Sequence, residues 1–456
     1  MHGPSGATDT AAANAPAIGA DGRPTRSLPA TQLMRLSLYW LGLSAVFAGI
    51  GGILIGRLQF DGLVPPGTEG EALAQMTVLG TLVAIIVQPT VGTISDYTRT
   101  RWGRRKPFIV IGSVLDLVFL FGIASSNTVL AIAAFMILLQ FSSNFAQGPF
   151  QGYVPDLVPA QQVSLASSLV GLFSVLGNVT GFAIAAMAVY TKQYFLATMS
   201  LGLVEFVAMI GVVLRVDAGP EPRDRAGRSW RSIVAEAWGT DILREHSFLF
   251  LLGSRFFVLM GAAVLINMQT FFLAQSLGLD NKAAGLAQFA VLGIVVVGNV
   301  LAVVPAGRVS DRVGRKRVIY VACLLGAVGM TIVAVAPSVP VALIGGALFG
   351  IGSGSFLAVD WALMTDIIPK AESGRYMGIS NVATASAGIV AIVVAGGLVM
   401  DRVNHLIGYG AGPRAAILVG VVAYGMGALL LRPVDERRRA DVPVAVPAAP
   451  AAATTG

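Results

Sequence analysis

Twelve apolar stretches, each about 20 residues long, run through this chain, and that length is what a helix needs to cross the roughly 30 Å hydrocarbon core of a bilayer. They lie approximately at 36–57, 72–95, 107–126, 128–150, 162–188, 193–215, 247–273, 283–306, 317–336, 340–367, 375–400 and 411–432. With 55% hydrophobic and only 12% charged residues among 456, the chain is too apolar for an ordinary soluble domain. The expected fold class is therefore an all-α membrane protein with twelve transmembrane helices.

The net charge of +7 does not point to nucleic acid, because the basic residues are not gathered on one face or arm. They mark topology instead. Of the 31 Lys and Arg, Arg57, Lys192, Lys282, Arg402 and Arg414 fall on one side of the membrane and Arg255 lies within a span. The remainder fall on the other side, which the positive-inside rule makes cytoplasmic, so an even number of spans leaves both termini in the cytoplasm. The lone cysteine, Cys323, sits in a span and can form no internal disulfide. Residues 1–30 lack the continuous apolar core of a cleavable signal peptide, so the first span serves as an uncleaved signal.

The spans divide six and six about the longest loop. The expected organisation is a disordered cytoplasmic tail (1–34), a first half (35–215), a cytoplasmic linker (216–246), a second half (247–433) and a second disordered tail (434–456). Within the linker, Ser229 to Glu245 is expected to form a helix on the membrane surface.

The two halves repeat one another. Gly92, Asp96, Gly103, Arg104 and Arg105 after span two correspond to Gly307, Asp311, Gly314 and Arg315 after span eight. Asp156-Leu157-Val158-Pro159 after span four likewise corresponds to Asp366-Ile367-Ile368-Pro369 after span ten. Two motifs repeated at nearly the same offset imply a duplicated bundle related by an axis along the membrane normal. The second loop fits the pattern G-x-x-x-D-R-x-G-R-[KR] at every position, and so resembles the cytoplasmic loop of the major facilitator superfamily. In physical terms the first Gly permits close helix packing, the second a tight turn, and the Asp can pair with an Arg across the loop. Asp96, Arg104 or Arg105, and Asp156 are thus expected to form a cytoplasmic gate that holds the outward-facing state shut, mirrored by Asp311, Arg315 and Asp366.

The first loop and the two spans beyond it carry a more particular likeness. SDYTRTRWGRRKPFIVIGS, then LLQFSSNFAQGPFQGYVPDL at 138–157 and Gly177-Asn178-Val179-Thr180-Gly181, resemble the sucrose/proton symporter branch of that superfamily. VDWAL at 359–363 is similar to bacterial relatives of the branch. The resemblance implies the major facilitator fold, solute transport, and a cavity lined by spans one, four, seven and ten. The branch carries an intramembrane Asp and Arg in span four, where this chain has Gln140 and Gln151. Neither can change charge, so that proton-coupling device is absent from its usual place.

Gln140, Asn144, Gln147 and Gln151 fall within about 60° on one face of span four. Uncharged amides suit a hydroxyl-rich or otherwise neutral polar solute, and helix-to-helix hydrogen bonding is the structural alternative. Asn267 and Gln269 in span seven are further candidate contacts.

Charges inside spans are costly and point to function. Asp360 in span ten and Arg255 in span seven, about 12 Å in from its end, lie at similar depth and are expected to pair. Releasing Arg255 would let Asp360 take a proton; a permanent structural ion pair is the alternative. Asp116 in span three and Glu205 in span six have no basic partner legible in the sequence, and Asp116 is the third candidate for ion coupling. His2, His246 and His405 do not resemble metal ligands, and no cofactor, metal or enzymatic motif is expected. The expected function is a monomeric secondary transporter of the cytoplasmic membrane, moving a small polar solute, a sugar or glycoside, with protons. An exporter of drugs or metabolites, or a receptor or assembly factor that does not transport, are the other readings.

Overall fold

A membrane helix is apolar where it meets lipid and apolar again where it meets its neighbours, so its sequence reports its existence better than its orientation. The computed structural model describes residues 25–216, 227, 229, 246–367, 380, 383, 384 and 386–434. Among the described residues, twelve helices are long and apolar enough to cross a membrane. The first six are α1 (Ala30–Phe60), α2 (Glu69–Asp96), α3 (Lys106–Ser125), α4 (Val129–Gln151), α5 (Val163–Thr191) and α6 (Tyr194–Val213). The second six are α7 (His246–Phe271), α8 (Asn281–Val313), α9 (Arg315–Val335), α10 (Val339–Ile367), α11 (Ser386–Ile407) and α12 (Ala411–Leu430). Phe272–Ser276 prolongs α7 as a π-helical turn, and Ile392–Met400 is a π-helical stretch within α11.

Several helices outrun their apolar stretches. The first begins at Ala30, and α8 continues beyond Pro305 to Val313, so most of the second basic motif is helix and only Gly314 makes the turn. Hydropathy marks the part of a helix inside hydrocarbon, while the backbone bonds carry on into water. Residues 1–24 and 435–456 of the expected tails, the expected surface helix beyond Ser229, and residues 375–385 apart from 380, 383 and 384 lie outside the described residues, while Ala30–Met34, expected as tail, are already the first turn of α1.

The halves α1–α6 and α7–α12 repeat one set of pairings. Helix α2 packs on α4 as α8 packs on α10, α3 on α4 as α9 on α10, and α3 on α6 as α9 on α12. Between halves the contacts are reciprocal, α5 against α8 and α2 against α11, as a two-fold repeat requires. Large apolar side chains such as Leu82, Ile86, Val300 and Leu301 stand on the outside of the bundle, where lipid tails are as good a solvent as another leucine.

The two ends of the bundle differ. One carries both basic motifs; the opposite, or far, end carries the connections around residues 61–68, 277–280 and 408–410. Hydrogen bonds between the halves gather at the far end. Gln275 Nε2 donates to Gln59 Oε1 at 2.8 Å, and Asn281 Nδ2 donates to the Tyr190 carbonyl at 3.2 Å. The amides of Gly70 and Glu71, in the first turn of α2, donate to Asp401 of α11 at 3.2 and 2.7 Å.

Candidate functional site

At the basic-loop end, Gly103 (φ 92°) turns the chain so that Arg104 and Arg105 face back into the first half. Arg105 serves three acceptors with one guanidinium. Its Nε donates to Asp156 Oδ2 at 2.6 Å, its Nη2 to Asp96 Oδ1 at 3.0 Å and its Nη1 to the Pro149 carbonyl at 2.8 Å. Arg104 Nη2 lies 2.5 Å from the same Asp156 oxygen. Both arginines are buried, and together they brace the end of α2, the start of α3 and the one-turn helix Tyr153–Leu157 that comes after α4.

All these partners belong to the first half, so the network forms a brace within that half rather than a contact between the two halves. The second copy is built differently: Asp311 is 71% exposed and 4.0 Å from Arg315. Lys316 ties this turn to the end of α12 instead, donating to the carbonyls of Arg432 and Val434 at 2.9 and 2.7 Å. The side chain of Asp366 lies outside the described residues. The close packing expected of the first glycine is not required at Gly92, where a Cβ would sit at an ordinary 3.4 Å from Gly148, nor at Gly307, which faces open space; at the α2–α4 crossing it is Gly148 whose Cβ would run into the Gln88 carbonyl. The turn role holds at both Gly103 and Gly314, since each has φ above 90°.

Along α4, Asn144 is buried while Gln140, Gln147 and Gln151 are half-buried. Asn144 Nδ2 donates to the Gln140 carbonyl at 2.8 Å and approaches Gln140 Oε1 at 3.4 Å. Gln140 itself lies over Gly80 of α2, so its stem lies at the α2–α4 interface rather than in open space. In α7, Asn267 and Gln269 are two residues apart and therefore point in roughly opposite directions. Asn267 is half-buried and Gln269 only 3% exposed, each donating to a carbonyl of its own helix. They do not share one cavity face. Gln288 of α8, not singled out in the sequence, is buried beside Gly52 of α1 with its Oε1 lacking a partner among the described residues.

Two buried charged centres occupy different halves. In the second, Arg255 of α7 meets Asp360 of α10 in a direct ion pair, and Arg255 Nε donates to Thr384 Oγ1, two residues before α11, at 3.2 Å. Three segments thus converge on one guanidinium. In the first half, Asp116 of α3 accepts from Ser142 and, at 2.9 Å, from Ser143 of α4. Glu205 of α6 accepts from Tyr39 of α1 at 3.0 Å, and the Tyr39 and Ser113 hydroxyls are 2.6 Å apart. Asp116 and Glu205, read separately in the sequence, face one crossing: Ser113, one turn before Asp116 on α3, lies 3.4 Å from Glu205 Oε1.

Sequence reasoning missed the polar cluster at the far end. Asn404 donates to Gln275 Oε1 at 2.9 Å and accepts the amides of Gly410 and Gly412 at 3.0 and 2.8 Å. Tyr409 bridges the halves, lying 3.3 Å from both Gln59 and Glu69. The only signal available was a concentration of amides and acids just outside the apolar stretches, where polar residues are commonplace.

Comparison with known proteins agrees with this architecture. The family model described as MFS/sugar transport protein matches residues 66–423. A lactose permease of Leuconostoc lactis is 33% identical over 136 residues, 27% of this chain and 20% of that protein. A sucrose transport protein of Oryza sativa subsp. indica is 30% identical over 175 residues, 32% of this chain and 34% of that protein. The chain thus matches about a fifth and a third of these curated relatives' lengths. A solved D-xylose-proton symporter superposes with a TM-score of 0.65 at 18% identity, covering 89% of this chain and 97% of that one, which is a likeness of fold.

Proposed function

The chain belongs to the MFS/sugar transport protein family, and on that premise we propose that it is a secondary active transporter that moves a sugar or glycoside across the cytoplasmic membrane. It works by alternating access, as a monomer, with protons as the coupling ion. The basic-loop end, by its charge, faces the cytoplasm together with both termini. The far end faces outward and is closed in this structure.

The observation that carries the coupling is the buried Arg255–Asp360 pair. Two ions taken out of water are expensive unless they satisfy one another, and a bundle serving only as scaffold would pack apolar side chains there. Arg255 has a second acceptor in Thr384, so a small rotation of α11 against α7 changes how much of the guanidinium remains for Asp360. When Arg255 is drawn away, a proton replaces it on the carboxylate. When the proton leaves, the ion pair closes again. Asp116 contributes to coupling from the other half.

Solute recognition falls to the amides of α4 and α7. Asn144, Gln147 and Gln151 offer donors and acceptors on one helix face, matching the dual character of sugar hydroxyls. Gln140 supports that face from the α2 side, Asn267 meets it from the second half, and Gln269 steadies α7 behind Asn267. Asp96, Arg104, Arg105 and Asp156, with Gly92 beside Gly148 where α2 packs on α4, keep the cytoplasmic end of the first half rigid as it rocks. In the second half Arg315 and Asp366 serve the same end together with the Lys316 tie to the end of α12, while Gly307 and Asp311 contribute less.

The test is uptake into proteoliposomes across a panel of mono-, di- and α-glucosides, with and without an imposed proton gradient. We expect at least one sugar to accumulate only when the gradient is present, and Asp360→Asn to abolish that dependence. Binding without translocation for every sugar in the panel would refute the transporter reading.

A further inference from the structure

We propose that Asp116 and Glu205 together form a second ion site, one that holds a proton inside the first half and is separate from the Arg255–Asp360 pair. Its role in coupling rests on the transporter reading above, whereas its protonation stands on geometry alone.

Both carboxyls are sealed in, Asp116 at 0% and Glu205 at 1% exposure, where α3 crosses α6. Helix α1 lies directly on Glu205, since a Cβ on Gly42 would come within 2.6 Å of its Cα. Each surrounding element contributes hydroxyls: Tyr39 from α1, Ser113 from α3 itself, Ser142 and Ser143 from α4. None of these is a cation. Both oxygens of Asp116 and one of Glu205 are thereby satisfied, but Glu205 Oε2 is buried without a donor. Were both acids ionised, two like charges would lie at one dry helix crossing among hydroxyls, and Glu205 Oε2 would hold its charge with no donor among the described residues; a proton on the pair removes both costs.

The fold does not demand acids at this crossing. Where α9 crosses α12 in the other half, the same position is closed by Cys323, Gly326 and the ring of Tyr424. The acids also touch the helices expected to line the cavity. Ser142 lies on the side of α4 opposite Asn144, and Tyr39 belongs to α1, so gain or loss of the proton changes how both helices seat against α3 and α6.

Infrared spectroscopy of the full-length protein in lipid nanodiscs, in light and heavy water at neutral pH, tests the site without any substrate. We expect a carbonyl band from a protonated carboxyl that shifts on deuteration, is lost in the Asp116→Asn/Glu205→Gln variant and persists in Asp360→Asn. Wild-type protein with no such band overturns the proposal by itself, so it stays falsifiable even if the double variant does not fold. A band that survives in the folded double variant also overturns it. So does thermal stabilisation by sodium over choline chloride that the double variant loses, because the ligand would then be a metal cation. Failure of the sugar panel would leave this result intact, so the two readings fail separately.

Discussion

Arg105 holds Asp96, Asp156 and the Pro149 carbonyl in three directions, a geometry that a planar guanidinium meets and an ammonium does not. Arg105→Lys keeps the charge but leaves at least one buried acceptor unserved, so it should destabilise the protein by about 1–3 kcal/mol. Thermal unfolding in nanodiscs measures this. Asp96→Asn should slow transport, whereas Asp311→Asn should have a much smaller effect, because an exposed acid 4.0 Å from its partner contributes little. Equal loss in both variants would contradict the asymmetry between the two loops. For the deeper pair, Arg255→Ala strands a carboxylate in the bundle and should cost about 3–5 kcal/mol. The Arg255→Met/Asp360→Leu double replacement should recover most of that stability while gradient-driven uptake stays lost, which separates the structural role of the pair from its role in coupling.

Asp401 acts at the scale of the element. It belongs to α11 of the second half, yet it accepts the first-turn amides of α2 in the first half and so serves as that helix's N-cap from across the interface. Gly70 permits this, because a Cβ there would run into the backbone of Gly396. Asp401→Ala should weaken the far-end closure by about 1 kcal/mol, the usual value of a cap, and move the balance toward the outward-open state roughly fivefold. Spin-label distances between the halves at the far end report that shift. None of this could be read from the sequence, where Asp401 is one more acid beside an apolar run. The spans were legible because hydrocarbon thickness dictates their length, and the duplication because its turn glycines and charges recur in order. Arg255 and Asp360 could be matched on depth alone, as unlike charges inside a membrane have few other partners. Asp116 and Glu205 could not, because lipid and neighbouring helices present the same apolar pattern and conceal which face of α3 meets α6. The amide stripe on α4 was correct as a helix face, but its sequence could not reveal that Gln140 leans on Gly80 of α2.

At the scale of the whole molecule, each half is tied internally while the hydrogen bonds between halves collect at one end. The Arg104–Arg105 brace consolidates the first half, and Lys316 joins α9 to the end of α12 in the second. Rigid halves joined at one end must separate there if the solute is to reach the other side of the membrane. A link across the far end should therefore trap the protein in this state. Gln59 and Gln275 suit the purpose, since their side chains meet between the halves, and the native Cys323 is buried away from reagent. Gln59→Cys/Gln275→Cys joined by a short, reducible thiol crosslinker should lose net uptake and regain it on reduction, whereas either single variant treated alike should be unaffected. Undiminished uptake with the crosslink complete would mean that the halves do not part at this end, and transport by their rocking would have to be abandoned.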